Sequence, residues 1–331
     1  MRRAPVKRMH WRAFALACIA FGVLAAPASP AADAYPLRPI RLIMPNAPGS
    51  SNDTLGRLLA ARLAGELGQQ IVVDNRAGAG GVLGTEIGAG AIADGYTLIV
   101  SSEGALSLAP HIYKKLSYDP LRDFEFVGVF ADTPNLLVTN PTLPVKTARE
   151  FIDYAKAKAG QLNLASAGAG SQSHLTGYAL MLAAGFNSLH VPYTGGAASI
   201  NALVSNESQW SIPPAAGVMT LVRSARLRAL AHTLPKRSPL MGELPALAET
   251  LPGFTRSGWK GLLAPRGTPR PIVDKLHAAM RRSLDTREAR EQFAQQGSEV
   301  VLGDGAEMKR LLEKEIADTA LVVKAAGLRV E

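Results

Sequence analysis

Twice in this chain a short apolar run leads into a turn of glycine and serine that opens a segment with helical spacing. Residues 40–44 (IRLIM) precede Gly49-Ser50-Ser51-Asn52-Asp53, after which Leu55, Leu58, Leu59, Leu63 and Leu67 recur at helical intervals up to Gly68. Residues 162–165 precede Gly168-Ala169-Gly170-Ser171-Gln172-Ser173-His174, and a helix is expected from there through Ala184. Apolar strands alternating with helices call for a sheet covered by helices on its faces, and the alternation predicts parallel pairing.

The remaining segments extend that pattern. Further strands are expected at residues 71–73 and 96–100, with a glycine-rich segment and a weak helix between them. After the loop Asn140-Pro141-Thr142-Leu143-Pro144, Thr147 and Glu150 form a capping box for a helix through Lys158. Residues 190–193, 209–212 and 227–233 read as strands, and the last third reads as mostly helical over 271–284, 286–296 and 306–326. Two α/β units result, each with one glycine-serine turn at the carboxyl end of a strand, which is where open α/β sheets bind ligands.

The chemistry of these turns is that of helix N-termini. Glycine admits a ligand close to the backbone, and the first amides of a helix have no internal acceptor and carry the positive end of its dipole. A carboxylate gains charge-assisted hydrogen bonds there without an arginine. For either turn alone, simple capping by Ser51, Asn52 or Asp53 accounts for the residues equally well. Two matched turns favour a shared ligand cleft. Neither "GAGGVLG" (78–84) nor "GAGSQS" (168–173) completes a dinucleotide fingerprint, and neither contains the G-x-S-x-G of a hydrolase. The six histidines show no metal-ligand spacing, and no cofactor is expected.

Charge and cysteine usage depend on the first 34 residues. Arg2, Arg3, Lys7, Arg8 and Arg12 head an apolar run over 14–26, and small residues follow up to Ala32-Asp33-Ala34, the layout of a cleaved secretory leader. The whole chain of 331 residues carries a formal +9; the leader holds five of the 36 basic residues and one of the 27 acidic ones, leaving +5 beyond it. That modest, dispersed charge does not indicate a nucleic-acid partner. Cys18, the single cysteine, leaves with the leader, so an exported chain has no thiol, which suits an oxidising compartment.

Eight ordered segments carry a resemblance: "YPLRPIRLIMPNAPGSSND", "GQQIVVDNRAGAGGVLG", "ADGYTLIV", "YDPLRDFEFVG", "LNLASAGAGSQSHL", "VPYTGG", "LRALAHT" and "GWKGLLAPRGTP". Over residues 35 to about 269 the sequence resembles the Bug family of periplasmic solute-binding proteins, the receptors of tripartite tricarboxylate transporters. The resemblance implies an α/β, two-lobed, periplasmic-binding-protein-like (type II) flytrap fold. One lobe would comprise 35–138 with 256–331 and the other 139–255, with a hinge near 135–140 and 255–260. It implies a monomeric, non-enzymatic periplasmic receptor that passes a small carboxylate to membrane transporter subunits or a sensor ectodomain. Carried over by position, the ligand site is expected at Pro48, Gly49, Ser50, Ser51 and Asp53, at Ser101 and Ser102, at Ser171, Ser173 and His174, and at Tyr193, Thr194 and Gly195. Gly170 joins them from the turn itself. A secreted α/β enzyme acting on a small carboxylate is the alternative.

Overall fold

The computed structural model describes residues 34–101 and 103–326. The expected leader, apart from Ala34, and Ser102 lie outside the described residues. In chain order the elements are β1 (Ile40–Met44), α1 (Ser51–Leu67), β2 (Ile71–Asn75), α2 (Val82–Ala89), β3 (Thr97–Val100), α3 (Ala109–Ile112), β4 (Phe124–Pro134) and β5 (Leu136–Thr139). There follow α4 (Ala148–Ala157), β6 (Asn163–Ser166), α5 (Gln172–Ala184), β7 (Leu189–Pro192), α6 (Gly196–Val204), β8 (Trp210–Ser211), α7 (Met219–Arg223) and β9 (Arg228–His232). The chain ends with β10 (Ser257–Pro265), α8 (Arg270–Leu284), α9 (Arg287–Gln295), β11 (Glu299–Asp304) and α10 (Gly305–Ala326). A π-helical turn, Gly104–Leu108, leads into α3.

The strands form two sheets, β11-β4-β10-β3-β1-β2 and β7-β6-β8-β5-β9. Parallel pairing holds around β1, where Leu42 lies opposite Val73 and Leu98, and around β6. Elsewhere the expectation of a parallel sheet is corrected. β10 runs antiparallel to both β3 and β4, β11 antiparallel to β4, and β5 antiparallel to β8 and β9. Antiparallel neighbours need no crossover helix. A run apolar on both faces reports burial and not direction, so periodicity could not separate the two arrangements. The last third also contains β10 and β11 beside its three helices.

Each sheet has its own core. In the first, Leu55, Leu59 and Leu63 of α1 and every residue of β1 except Arg41 are buried. In the second, Trp210 is fully buried between Phe151 and Phe186, at ring-centroid distances of 5.2 and 5.6 Å, and its indole donates to Ser188 Oγ. The chain leaves the first sheet at Asn135, between β4 and β5; Thr139 ends β5 within the second sheet. It returns through residues 233–256. The two crossings are stitched together: Thr233 Oγ1 accepts from the Asn135 amide at 2.9 Å, and Thr233 O accepts from the Arg256 amide at 2.9 Å.

Candidate ligand-binding site

The first turn is held by one carboxylate. Ser50 caps α1, its Oγ accepting from the Asp53 amide at 3.3 Å. Asp53 Oδ2 accepts from the Gly49 amide, and its Oδ1 accepts from Arg57 and Asn75, all at 2.9 Å. Burial by itself would raise the Asp53 pKa; the hydrogen bonds from Arg57, Gly49 and Asn75 prevail and hold it below the usual carboxylate range. Asn52 donates to Asn46 Oδ1 and to Ser101 O, and Ser101 Oγ accepts from the Gly261 amide, which fastens the turn to β3 and β10.

The second turn is held by neutral groups. Ser171 caps α5, accepting from the His174 amide, and Ser173 Oγ accepts from the Ala167 amide at 3.0 Å. His174 Nδ1 accepts from the Gly170 amide at 3.0 Å, and its ring stacks on His190 with centroids 4.0 Å apart. Burial, aided by the neighbouring His190, lowers the His174 pKa to about 3, and burial lowers His190 to about 4. Both rings are therefore neutral at pH 7, as acceptance by Nδ1 requires.

These turns converge on one cavity of about 70 Å³. Its wall contains Ser50, Ser51 and Asn52 at the start of α1, Ser171, Gln172 and Ser173 at the start of α5, and Gly196 at the start of α6. The α6 N-cap, Gly195, has no side chain to occupy the helix amides. Three helix N-termini thus present free amides and dipole ends to one space. Among the described residues, Ser51 Oγ is buried without a hydrogen-bond partner. Glu103 and Lys260 also line the cavity, and Lys260 is only 2% exposed. A second cavity of about 480 Å³ adjoins it, sharing Asn46, Gly80 and Ala167, and is lined by Pro192-Tyr193-Thr194-Gly195 and the glycine-rich 77–81 segment.

Loops from the two sheets meet across this space in backbone contact. A Cβ on Gly104 would stand 2.7 Å from Gly80 O and 2.8 Å from Gly170 O. Only glycine allows that approach.

Of the residues expected from sequence, Ser50, Ser51, Ser171 and Ser173 line the inner cavity, and Tyr193, Thr194 and Gly195 the adjoining one. The Tyr193 hydroxyl is engaged with Glu207 and Ser208. Pro48, Gly49, Asp53, Ser101, Gly170 and His174 line neither cavity; the last five hold the turns through the bonds above. Asn52 and Gln172, which lie within the two expected turns, also line the inner cavity. Asn46, Glu103 and Lys260 line it too and were not expected; the two charged residues carried no sequence signal. Among the described residues no group of three or more His, Cys, Asp or Glu is placed to hold a metal ion.

The family model of the tripartite tricarboxylate transporter receptor (TctC) matches residues 55–328. This chain belongs to that family. BugT of Bordetella pertussis is 36% identical over 315 residues, covering 95% of this chain and 96% of BugT. Rpa4515 of R. palustris, solved with adipate, superposes with a TM-score of 0.87 at 33% identity, covering 89% of this chain and 99% of that one. MatC from Rhodopseudomonas palustris, solved with bound malate, gives 0.82 at 33% identity over 87% and 100%. The fold is accordingly the two-lobed fold of periplasmic binding proteins, and the TctC family is one of solute-binding receptors and not of enzymes.

Proposed function

We propose that this chain is a periplasmic receptor that closes its two lobes on a small carboxylate and presents it to a membrane transporter or a sensor. The observation that carries the reading is the convergence of three helix N-termini and the unpartnered Ser51 Oγ on one cavity. Such a site offers hydrogen-bond donors in excess of acceptors, which is the complement of a carboxylate. The adipate and malate of the two solved relatives are carboxylates. The leader over residues 1–34 supports export, and the absence of cysteine beyond it suits the periplasm.

The first lobe in this reading is built on the six-stranded sheet and the second on the five-stranded one, with the hinge at the stitched crossings Asn135 and Thr233–Arg256. Ser50, Ser51, Ser171 and Ser173 contact the ligand, with the α6 amides. The receptor acts as a monomer. Thermal-shift screening followed by calorimetry tests this: small carboxylates raise Tm and bind, whereas stabilisation only by amines or neutral sugars rules the reading out.

A further inference from the structure

We propose that Leu108, Ile112 and Leu175 form an apolar latch that draws the two lobes together before any ligand is bound; the proposal rests on the two lobes of the reading above. Leu108 ends the π-helical turn and Ile112 ends α3, between β3 and β4 of the six-stranded sheet. Leu175 lies in the first turn of α5, which follows β6 of the five-stranded sheet. The three side chains form one cluster, exposed by 0%, 6% and 5%, with Tyr113 and Val323 packed against it.

Larger apolar clusters lie within one lobe: one gathers Phe151 and Trp210, another Ile43 and Leu263. Those clusters stay intact when one lobe turns on the other. The contact of Leu108 and Ile112 with Leu175 does not. Opening the cleft parts it and brings apolar side chains to water, which is unfavourable. The contact therefore favours the closed arrangement whether or not the cavity is filled. None of the three residues lines either cavity, so the latch acts without touching a ligand.

The latch is joined to the site on both sides. The Leu175 amide donates to Ser171 O at 3.0 Å, so Leu175 rides on the same helical turn as Ser171 and Ser173. In the facing lobe, the π-helical turn that ends at Leu108 begins at Gly104, which lines the inner cavity. At Gly170 the two sides meet: a Cβ there would stand 3.1 Å from Leu108 Cδ2 and 3.3 Å from Ile112 Cδ1. Seating the latch thus brings the second turn against the first lobe and assembles the cavity wall. A carboxylate then meets a partly closed population and need supply only the rest of the closing free energy.

The test needs no ligand. The chain from residue 35 onward has no cysteine, so spin labels at Ile92→Cys and Leu182→Cys, exposed positions on the two lobes, report the distance between lobes by pulsed electron paramagnetic resonance. The unliganded chain should populate a short distance beside a long one. Leu175→Ala should lower the ratio of short to long about tenfold, the effect of burying about one leucine side chain less on closing. Ile112→Ala, from the facing lobe, should act in the same direction and serves if Leu175→Ala does not fold. Leu175→Met should keep the original ratio. Leu180→Ala is the control: it leaves a void in the core of the second lobe alone, so it should lower stability and leave the ratio unchanged. A single long distance in the unsubstituted chain overturns the latch. So does a short distance that persists in both alanine variants, and so does an equal shift in Leu180→Ala. Because no ligand enters, failure of the latch leaves the carboxylate reading standing, and failure of a ligand screen leaves the latch standing.

Discussion

In the first turn a carboxylate holds the loop: Asp53 gathers the Gly49 amide, Arg57 and Asn75. In the second, a neutral imidazole takes the equivalent place four residues after its glycine, His174 accepting from Gly170. Both turns end in a serine-capped helix facing the same cavity. A charged acceptor engages several donors at once and tolerates acid down to its lowered pKa. A neutral histidine engages one amide and depends on staying unprotonated. The two walls of the cleft should accordingly differ in strength and in pH response.

The largest effect is expected from Asp53→Ala. It removes three hydrogen bonds and leaves the Gly49 amide without its side-chain acceptor and Asn75 Nδ2 with only its bond to Asn46 O, so stability should fall by about 3 kcal/mol and ligand affinity by more than about 100-fold. Urea denaturation and calorimetry measure the two; a loss under about 1 kcal/mol would show that Asp53 does not hold the turn. His174→Phe keeps the stack on His190 but strands a single amide, that of Gly170. A loss of about 1–3 kcal/mol and about tenfold in affinity is expected, smaller than at Asp53. If the order is reversed, the contrast between the walls is wrong.

Acidification should separate the walls without mutation. The folded pKa values of His174 and His190, about 3 and about 4, lie below the unfolded value near 6.5. The unfolded chain thus binds more protons between those limits, and stability falls as pH drops from about 6.5 toward 4, with full stability above that window. Asp53, its pKa lowered, keeps its full contribution above the unfolded carboxylate value of about 3.9 and loses it as pH falls through that value toward its folded pKa. Denaturation across pH 5–7 should therefore give a slope shallower by about one proton in His174→Phe, or about 1.4 kcal/mol per pH unit at most, and a nearly unchanged slope in Asp53→Asn.

The smallest effects come from the serines. Ser51 Oγ has no hydrogen-bond partner among the described residues, so Ser51→Ala should leave stability within about 0.5 kcal/mol and lower affinity about five- to tenfold. Ser173 Oγ accepts from the Ala167 amide, so Ser173→Ala should cost about 1 kcal/mol as well as affinity. Matching stability losses in the pair would mean that Ser51 has a protein partner after all.

The turns and the strands and helices beside them were legible because local rules fix them. IRLIM before Gly49 and the capping box Thr147–Glu150 are complete within a few residues of sequence. β4 and β10 were not assigned. FEFVGVFADTP and SGWKGLLAP are separated in sequence by the whole five-stranded sheet and its helices, so no local turn announces their pairing, which tertiary packing alone sets. Lys260 was hidden for a related reason. A lysine in a strand reads as a residue turned to water, and only the cover supplied by α10 and the segment from Glu103 makes it an interior cation. Within the turns, sequence offered the residue types but not their directions. Asp53 and His174 look inward to the loop, while Ser51 and Ser173 reach the cavity wall.

The central claim is that one carboxylate bridges helix ends from both lobes and so draws them together. A ligand with that preference binds the closed form better and shifts the population toward it. Small-angle scattering of the chain from residue 35 onward, with and without a saturating carboxylate identified by thermal shift, tests this most directly. The account predicts a smaller radius of gyration with ligand. An unchanged scattering curve at a concentration that raises Tm would place the ligand within one lobe and contradict it.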